Sequence, residues 1–251
     1  MCNIWKIKDE QGLETTLKQK KEFVKSFKGP RYGIEGIRKL TKIKERPLIG
    51  TIVKPKVGLN AKEHAKVAYD AWIGGLDIVK DDENLTSQPF NKFNERIIET
   101  LKLRDKAEKA TGEKKIYMPN ITAESLEMIK RANFVKKNGG EYIMVDMLTV
   151  GYSGLQTVRD NVSQVIHAHR AMHAAVTRNP KHGMSMLSIA KIARLIGADQ
   201  LHIGTAVGKM EGNSSEVMRS EKEIEYKITH PNKKIHSLGQ KWYNIKPVFA
   251  V

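Results

Sequence analysis

Short apolar runs alternate with amphipathic stretches along most of the chain, beginning at residue 48. The runs cover 48–53, 76–79, 115–118, 142–145, 165–169 and 200–203. Helices are predicted at about 60–72, 93–111, 155–164, 186–196 and 215–228, with one more opened by Thr122 and stopped by Gly139-Gly140. Strands that alternate strictly with helices are typical of βαβ units and a parallel sheet. We therefore predict an α/β fold of about six βα units.

Units of about 30 residues favour a TIM (β/α)8 barrel, although an open doubly wound sheet stays an alternative. No Gly-rich phosphate fingerprint follows the first apolar run, which argues against a dinucleotide-binding sheet. Because a barrel closes with eight strands, only part of one is expected. We predict that residues 1–47 lead into the barrel and that residues 48–251 form its strands one to six.

Charge and composition narrow the class of protein. Lys and Arg number 44 against 28 Asp and Glu, which gives a formal net charge of +16. This charge fits a nucleic-acid partner, a heat-adapted surface or an anionic substrate, but the even spread of lysines speaks against nucleic acid. The single cysteine, Cys2, excludes an internal disulfide. No apolar run approaches the roughly 18 residues of a membrane span, and we expect a cytoplasmic protein.

Polar residues cluster where the predicted strands end, which is where a barrel carries its functional groups. After the first strand, Lys54 and Lys56 flank Pro55 and are expected to share a face. Two ammonium groups on one face repel each other unless an anion or a metal-bound substrate lies between them. In a chain so rich in lysine, such a pattern is often chance. The third and fourth strands contribute Asn120 and Asp146.

The second strand ends in the run Lys80-Asp81-Asp82-Glu83. Two carboxylates, Asp82 and Glu83, suit a hard divalent cation such as Mg²⁺. A lysine beside them makes sense if it becomes an anionic ligand, for example a carbamate formed with CO2. The alternative is a solvated acidic turn in which Lys80 pairs with Asp82.

The fifth strand ends in histidines. His167 and His169 are expected to share a face, and His169 is a natural proton carrier near neutral pH. Arg170 follows as a planar fork for phosphate. A zinc half-site is an alternative for the two histidines, but no further Cys/His cluster follows at suitable spacing.

The sixth strand ends at His202. The loop 204–212 after it carries Lys209 between glycines, a pattern that suggests a mobile lid bringing a positive charge to the reacting centre. His64 lies off the strand ends and is interpreted as a packing or surface residue.

Four segments carry a family resemblance: GTIVKPKVGL (50–59), GGLDIVKDDENLTSQPF (74–90), HAHRAMHAAVTR (167–178) and LHIGTAVGKMEG (201–212). Each is similar to a signature of the large subunit of ribulose-1,5-bisphosphate carboxylase/oxygenase (RuBisCO), and they occur in that family's order. The phrases EFVKSFKGPRYGIEG and QKWYNIKPVF look most similar to the archaeal form III enzymes. The resemblance implies carboxylation of ribulose 1,5-bisphosphate with CO2 and water to two 3-phosphoglycerate, an oxygenase side reaction with O2, and a homo-oligomer built on dimers.

The resemblance also implies roles at the matching positions. The residues that would hold Mg²⁺ are Lys80, as a carbamate formed with a non-substrate CO2, Asp82 and Glu83. Those that would act on the protons of the substrate and on the developing carboxylate are Lys54, His169 and Lys209. Those that would bind the bisphosphate are Lys56, Asn120, Arg170 and His202, the last two on one phosphate.

Two departures from the family shape the expectations. Nothing in residues 1–21 looks like the family's N-terminal α+β domain, and the sequence stops at Val251, where the family enters its seventh strand. A barrel without strands seven and eight would expose two edges and an open core. We therefore expect the 251-residue chain alone to be inactive; ribulose bisphosphate-dependent CO2 fixation by the purified chain would contradict this.

Two other functions stay open. A RuBisCO-like enolase or isomerase of another phosphorylated sugar would share the barrel, but such proteins usually lack several of the residues Lys56, Arg170, His202 and Lys209. The non-enzyme alternative is a basic fragment that serves in assembly or binds nucleic acid. The form III resemblance further implies a role in nucleotide salvage, in the conversion of the ribose of AMP to 3-phosphoglycerate.

Overall fold

The computed structural model describes residues 24–179 and 181–204, the helical positions 215, 217 and 218, and the backbone of 229–230 and 233–234. Within this part, parallel strands alternate with helices, as predicted. The strands are β1 (Gly50–Ile52), β2 (Ile78–Lys80), β3 (Ile116–Met118), β4 (Tyr142–Asp146), β5 (Val165–His169) and β6 (Gln200–Leu201). The helices are α1 (Gly33–Thr41), α2 (Ala61–Ile73), α3 (Phe93–Thr111), α4 (Ser125–Lys137), α5 (Met147–Asn161), α6 (Ala174–Thr177) and α7 (Met186–Ile196). A short antiparallel pair follows, β7 (Thr229–His230) and β8 (Lys233–Lys234).

The parallel strands are neighbours in chain order. Two three-stranded sheets, β1-β2-β3 and β4-β5-β6, are joined by an isolated parallel bridge between Asn120 and Met144. At this seam the Met144 amide donates to the Pro119 carbonyl (2.8 Å), and the Ile121 amide donates to the Met144 carbonyl (3.0 Å). Strands that follow one another in chain order are arranged as in a (β/α) barrel, whereas a doubly wound sheet reverses direction at a switch point.

Helix α2 begins at a capping box formed by Asn60 and Glu63. The Asn60 side chain accepts hydrogen bonds from the amides of Lys62 and Glu63 (both 3.0 Å). The Glu63 carboxylate accepts in turn from the Asn60 amide (2.9 Å). These bonds satisfy amide donors that have no partner within the helix, and they fix the point at which the chain turns from β1 into α2.

Replacing Asn60 with alanine is expected to lower the free energy of unfolding by about 1 kcal/mol, because two amides at the start of α2 lose their acceptor. Chemical denaturation measures the change. Lys62→Ala, on the same exposed turn, is the matched control and should change the unfolding free energy by less than about 0.5 kcal/mol. Equal losses in the two variants would contradict the capping role.

Helix α5 differs from its sequence prediction. The predicted range was 155–164, whereas the helix spans Met147–Asn161. Gly151 takes a φ of 75° inside it and kinks it. This positive φ interrupts the regular helical pattern, so the first turns of α5 do not look helical in the sequence.

Helix α4 also begins later than predicted, at Ser125 rather than at Thr122. Its cap is Glu124, whose carboxylate accepts from two backbone amides of the first turn (both 2.7 Å). The Thr122 hydroxyl instead accepts from the Asp146 amide (2.9 Å). Thr122 therefore links the segment after β3 to the end of β4, a role that its local sequence does not indicate.

The buried apolar side chains form two layers. The larger layer lies between the strands and the helices and includes Trp72 of α2, Ile97 of α3 and Leu155 of α5. The smaller one, here called the inner cluster, contains Ile37, Leu48, Ile78, Ile116, Met118, Tyr142, Met144 and Val165. Because it joins α1 to the first residues of four strands, α1 covers the end of the sheet at which the strands begin.

A buried carboxylate fixes α1 in this place. Asp199, just before β6, accepts at Oδ1 from the Tyr32 amide that precedes α1 (2.6 Å). Its Oδ2 accepts from the Ile166 amide of β5 and from the Arg159 guanidinium of α5 (both 2.9 Å). One side chain thus connects α1, β5 and α5 at the covered end of the sheet.

Some sequence predictions lie outside the described residues. These are the polar segment 1–23, residues 205–212 of the predicted lid, and most of the helix predicted at 215–228. The division of the chain between residues 47 and 48 stays a prediction. In the described part, no helix is long and apolar enough to cross a membrane.

Candidate active site

The predicted site residues gather at one end of the sheet, where the strands finish. Lys80 is the last residue of β2, and His169 is the last residue of β5. Asn120 and His202 come shortly after β3 and β6. Because the carboxyl ends of parallel strands meet at one edge, the fold brings these side chains together.

Lys80 is buried, with 4% of its surface exposed. Its Nζ donates to the Asp81 carbonyl (3.1 Å) and lies 3.4 Å from Oε2 of Glu83 and 3.9 Å from the sulfur of Met144. Burial lowers the pKa of Lys80, against the opposing attraction of Glu83 and Asp82. Its amine therefore loses a proton more readily than the amine of a solvated lysine.

The alternative of a solvated acidic turn is wrong. The Asp82 carboxylate is buried, and it forms its ion pair with Lys54, whereas Lys80 pairs with Glu83. Its Oδ1 accepts from the Asn84 amide (2.8 Å) and side chain (3.0 Å). Burial would raise the pKa of Asp82, but the Lys54 ammonium and Asn84 outweigh it, and the pKa lies below its ordinary value.

Glu83 turns inward, toward Lys80 and His169. Burial would raise its pKa, but the Lys80 charge, its own backbone amide and His169 together hold the pKa of Glu83 below its ordinary value. Asp82 and Glu83 are therefore both ionised at neutral pH, which is the state in which carboxylates bind a divalent cation.

Lys54 and Lys56 lie beyond the end of β1 at Ile52. Side-chain alternation along a strand therefore does not extend to them, and it gives no ground for a shared face. The Lys54 ammonium contacts Oδ2 of Asp82, and Lys56 is exposed. Of this lysine pair, Lys54 is the member that the structure brings to the acidic turn.

Asn120 is fully buried and holds the acidic turn in place. Its side-chain amide donates to the Glu83 carbonyl (2.9 Å), and its backbone amide donates to Oδ2 of Asp81 (3.0 Å). Its Oδ1 accepts from the Thr122 amide (3.0 Å). Asn120 thus supports the residues around the site, and its role in substrate binding stays a prediction.

His169, at the end of β5, and His202, just after β6, lie close to each other. Nδ1 of His169 accepts from the Ala171 amide (3.1 Å), and its Nε2 lies 3.8 Å from Oε2 of Glu83. The ring of His202 has its centroid 5.1 Å from that of His169. Burial, with His169 as a further cause, lowers the pKa of His202 and of His167 well below the ordinary value. Both are therefore neutral at physiological pH.

Arg170 is buried next to the start of the predicted lid. A Cβ added to Gly204 would lie 2.7 Å from Nη2 of Arg170, and Gly204 has a φ of +110°. The positive φ favours glycine there, and a larger side chain would also displace the end of Arg170. Lys209, further along the lid, lies outside the described residues.

The zinc alternative receives no support from the geometry. In the part of the chain that the structure describes, no group of three His, Cys, Asp or Glu side chains is placed to hold a metal ion. His167 and His169 are near each other, but a zinc ion needs more ligands than this pair supplies.

The sequence analysis missed Asp81 as a distinct element of the site. This carboxylate is fully buried; its Oδ1 accepts from the Tyr117 hydroxyl (2.6 Å) and lies 3.0 Å from Nε2 of His64. Its Oδ2 accepts from Nε of Arg96 (3.1 Å). Burial would raise the pKa of Asp81, but Arg96, His64 and Tyr117 outweigh it and hold the pKa well below the ordinary range.

One signal in the sequence could have revealed this cluster. Arg96 lies on the face of α3 that also carries the buried residues Phe93, Ile97 and Thr100. A charged residue on an apolar helix face predicts a buried partner of opposite charge. His64 lies on the buried face of α2, so the packing interpretation of that residue is correct but incomplete.

Comparison with known proteins agrees with this geometry. The model of the "ribulose bisphosphate carboxylase large chain, catalytic domain" family matches residues 33–251. The chain belongs to this family. The resemblance to RuBisCO drawn from the four sequence segments is thereby confirmed.

Relatives and solved structures of RuBisCO give the extent of the likeness. Ribulose bisphosphate carboxylase from Methanocaldococcus jannaschii is 57% identical over 99% of this chain and 59% of its own length. The octameric RuBisCO structure from Pyrococcus horikoshii has a TM-score of 0.80 and 49% identity, covering 83% of this chain and 50% of that chain. A rubisco-like protein from Burkholderia fungorum has a TM-score of 0.78 and 31% identity, covering 82% and 51%. The chain spans little more than half the length of the curated relative.

Proposed function

We propose that this RuBisCO chain serves the carboxylation of ribulose 1,5-bisphosphate with CO2 and water to two 3-phosphoglycerate, with an oxygenase side reaction. The observation that carries the proposal is the buried amine of Lys80 beside Glu83, with Asp82 on the same turn. Relatives that bear the name ribulose bisphosphate carboxylase, at 57% and 52% identity, support it.

The surroundings of Lys80 suit it to react with CO2. A neutral amine attacks the carbon of CO2, the Nζ–C bond forms, and the nitrogen loses a proton to solvent, which leaves an anionic carbamate. The lowered pKa of Lys80 raises the fraction of neutral amine available for this step. A carbamate replaces a positive charge by oxygen ligands, which Mg²⁺ prefers.

The carbamate of Lys80 would hold Mg²⁺ together with Asp82 and Glu83. Both carboxylates are ionised and belong to the same turn, so the donor set fits the ion. The cation would compete with the Lys54 ammonium for Asp82. When bound, Mg²⁺ polarises the substrate oxygens and lowers the cost of removing a proton from carbon.

The remaining roles follow from charge and proton capacity. Lys54 acts on the proton chemistry at the substrate carbons, and His169 is the second proton acceptor. Lys209 stabilises the developing carboxylate. These assignments agree with the contacts of Lys54 with Asp82 and of His169 with Glu83, which bring both residues to the acidic turn.

Phosphate binding falls to the basic residues around the site. Arg170 supplies a fixed positive charge and a planar fork of donors, and it binds one phosphate together with His202. Lys56 and Asn120 complete the substrate contacts. The exposure of Lys56 leaves its ammonium accessible to an anion.

We also propose the architecture and setting of the whole protein. Residues 48–251 would form the first six units of a TIM barrel, entered through 1–47. A homo-oligomer built on dimers is supported by archaeal RuBisCO structures described as octameric in Pyrococcus horikoshii and dimeric in Hyperthermus butylicus. A cytoplasmic location and a role in nucleotide salvage complete the proposal.

A RuBisCO-like enolase or isomerase is the second candidate. It is favoured by the rubisco-like protein of Burkholderia fungorum, whose TM-score of 0.78 is nearly that of the carboxylases. Fold likeness does not separate the two functions. The joint presence of Lys56, Arg170, His202 and Lys209 favours the carboxylase.

Retention of labelled CO2 tests the proposed function without requiring turnover. The full chain is incubated with radiolabelled CO2 and Mg²⁺, diluted into unlabelled CO2, and separated from free label by gel filtration. We expect retention that depends on Mg²⁺ and rises when ribulose 1,5-bisphosphate is added. No retention, or retention that ignores both Mg²⁺ and the bisphosphate, would contradict the proposal. Stronger retention with a different phosphorylated sugar would favour the enolase or isomerase.

A further inference from the structure

The turn that carries Asp82 and Glu83 is anchored by a carboxylate that is not itself available to a ligand. Asp81 lies directly before Asp82 and is fully buried. The groups around its two oxygens, within 2.6 to 3.1 Å, are the Tyr117 hydroxyl, His64 Nε2, Arg96 Nε and the Asn120 amide. Because these groups enclose its carboxylate, Asp81 acts on the site through the conformation of the chain.

Arg96 extends this anchoring along the loop that follows the turn. Its Nη2 donates to the Thr86 carbonyl (2.7 Å), and its Nη1 donates to the Asn91 carbonyl (3.0 Å). One guanidinium therefore fixes both Asp81 and the far side of the loop. Asn120 completes the support, because its side chain donates to the Glu83 carbonyl (2.9 Å).

His64 differs from the other groups around Asp81 because it is not needed for charge balance. Arg96 already offsets the charge of Asp81. His64 comes from the buried face of α2, where its companions are Ala61, Ala65, Ala68 and Trp72. Its ring also packs edge-on against Tyr117, with the centroids 6.4 Å apart, and packing of this kind does not require a ring nitrogen beside Asp81.

We propose that His64 is a positioning residue for the metal-binding turn. Its Nε2, 3.0 Å from Oδ1 of Asp81, fixes the orientation of that carboxylate. The Asp81 backbone continues into Asp82 and Glu83, so the orientation of Asp81 determines how the two ligands are presented. The inference rests on the proposed function, namely that Asp82 and Glu83 hold Mg²⁺ together with the carbamate of Lys80.

The test compares His64→Leu, which removes the polar contact with Oδ1 of Asp81, with His64→Gln, which keeps a polar side chain at this position. Each full chain is titrated with Mg²⁺ in the labelled-CO2 retention assay. We expect His64→Leu to raise the Mg²⁺ concentration for half-maximal retention by about 10- to 100-fold, the usual effect of losing an outer-shell partner. We expect His64→Gln to stay within about threefold of wild type. Val158→Ala, in the buried face of α5, is the control for loss of packing far from the turn.

The outcomes separate this inference from the proposed function. Rescue by His64→Gln, with Val158→Ala unaffected, supports the positioning role. Equal effects of His64→Leu and Val158→Ala, or no effect of His64→Leu, overturn it. If the wild-type chain retains no label, the proposed function has failed. The NMR chemical shifts of the backbone amides of residues 82–84 then test the positioning role of His64 on their own. Chemical shifts that change in His64→Leu and return to the wild-type values in His64→Gln support the positioning role. Chemical shifts that do not change in His64→Leu overturn it.

Discussion

Asp81→Ala is expected to lower the free energy of unfolding by about 3–5 kcal/mol, the usual cost of removing one partner of a buried ion pair. Asp81 and Arg96 are both 0% exposed, and the substitution leaves the guanidinium charge of Arg96 without its buried partner. Tyr117 loses the acceptor of its hydroxyl at the same time. Urea denaturation followed by circular dichroism measures the loss.

Asp105→Ala is the matched control, because it removes an exposed carboxylate whose arginine partner keeps a second carboxylate, Glu141. Asp105 lies 2.7 Å from Nη2 of Arg104, but its side chain is 54% exposed. Its loss should cost less than about 1 kcal/mol. Combining Asp81→Ala with Arg96→Leu should recover part of the stability, since no unpaired charge is then buried. Similar small losses for Asp81→Ala and Asp105→Ala would refute the prediction.

The same variant has a defined pH dependence. The pKa of Asp81 is lowered in the folded chain, so its ionised form stabilises the fold. That contribution is complete above the unfolded-state pKa of about 3.9 and declines as the pH falls below it. Wild type should therefore lose stability on acidification below about pH 4 more steeply than Asp81→Ala.

Lys80→Met should reduce Mg²⁺-dependent retention of labelled CO2 by more than about a hundredfold, because loss of a direct ligand exceeds the 10- to 100-fold effect of outer-shell changes. Methionine is unbranched and one atom shorter than lysine, and it has no amine to attack CO2. Lys80 is buried, so the apolar replacement suits the surroundings, which already include the sulfur of Met144. The fold should therefore persist while the reaction with CO2 is lost.

Lys115→Met is the control for the loss of a buried lysine. Lys115 is also buried, and its Nζ donates to Glu113 (2.7 Å) and to the Leu76 carbonyl (3.2 Å) next to the start of β3. This variant should keep the labelled CO2 even where it loses stability. Retention that survives in Lys80→Met, or that falls equally in both variants, would rule out Lys80 as the site of carbamate formation.

Local signals in the sequence were sufficient for the alternation of β1 to β6 with the longer helices between them, but α1 and α6 were not predicted. The capping box of Asn60 and the glycines that end helices act within a few residues, so the chain's own pattern reveals them. The kink in α5 is different, because Gly151 breaks the helical period without ending the helix. The start of α4 was misplaced because the Thr122 hydroxyl serves a distant strand amide, that of Asp146.

The acidic turn shows why a site is harder to predict than a fold. Asp81 and Asp82 are adjacent and chemically identical in the sequence, yet Asp81 is enclosed by Arg96 and Tyr117 whereas Asp82 meets Lys54. Those partners come from α3, β3 and the segment after β1, and no spacing rule relates them. The roles of the site residues stay predictions, including that of Lys209, which lies outside the described residues.

Helix α1 covers the end of the sheet at which the strands begin, and this bears on the pKa of Lys80 at the end where the strands finish. Met144 belongs to the inner cluster beneath α1 and also lies 3.9 Å from the Lys80 amine. Water reaching this cluster would rehydrate the ammonium and return its pKa toward the ordinary 10.5. The exclusion of water from the inner cluster therefore contributes to the lowered pKa of Lys80. Ile37, which comes from α1, belongs to the same apolar cluster as Met144, the neighbour of the Lys80 amine.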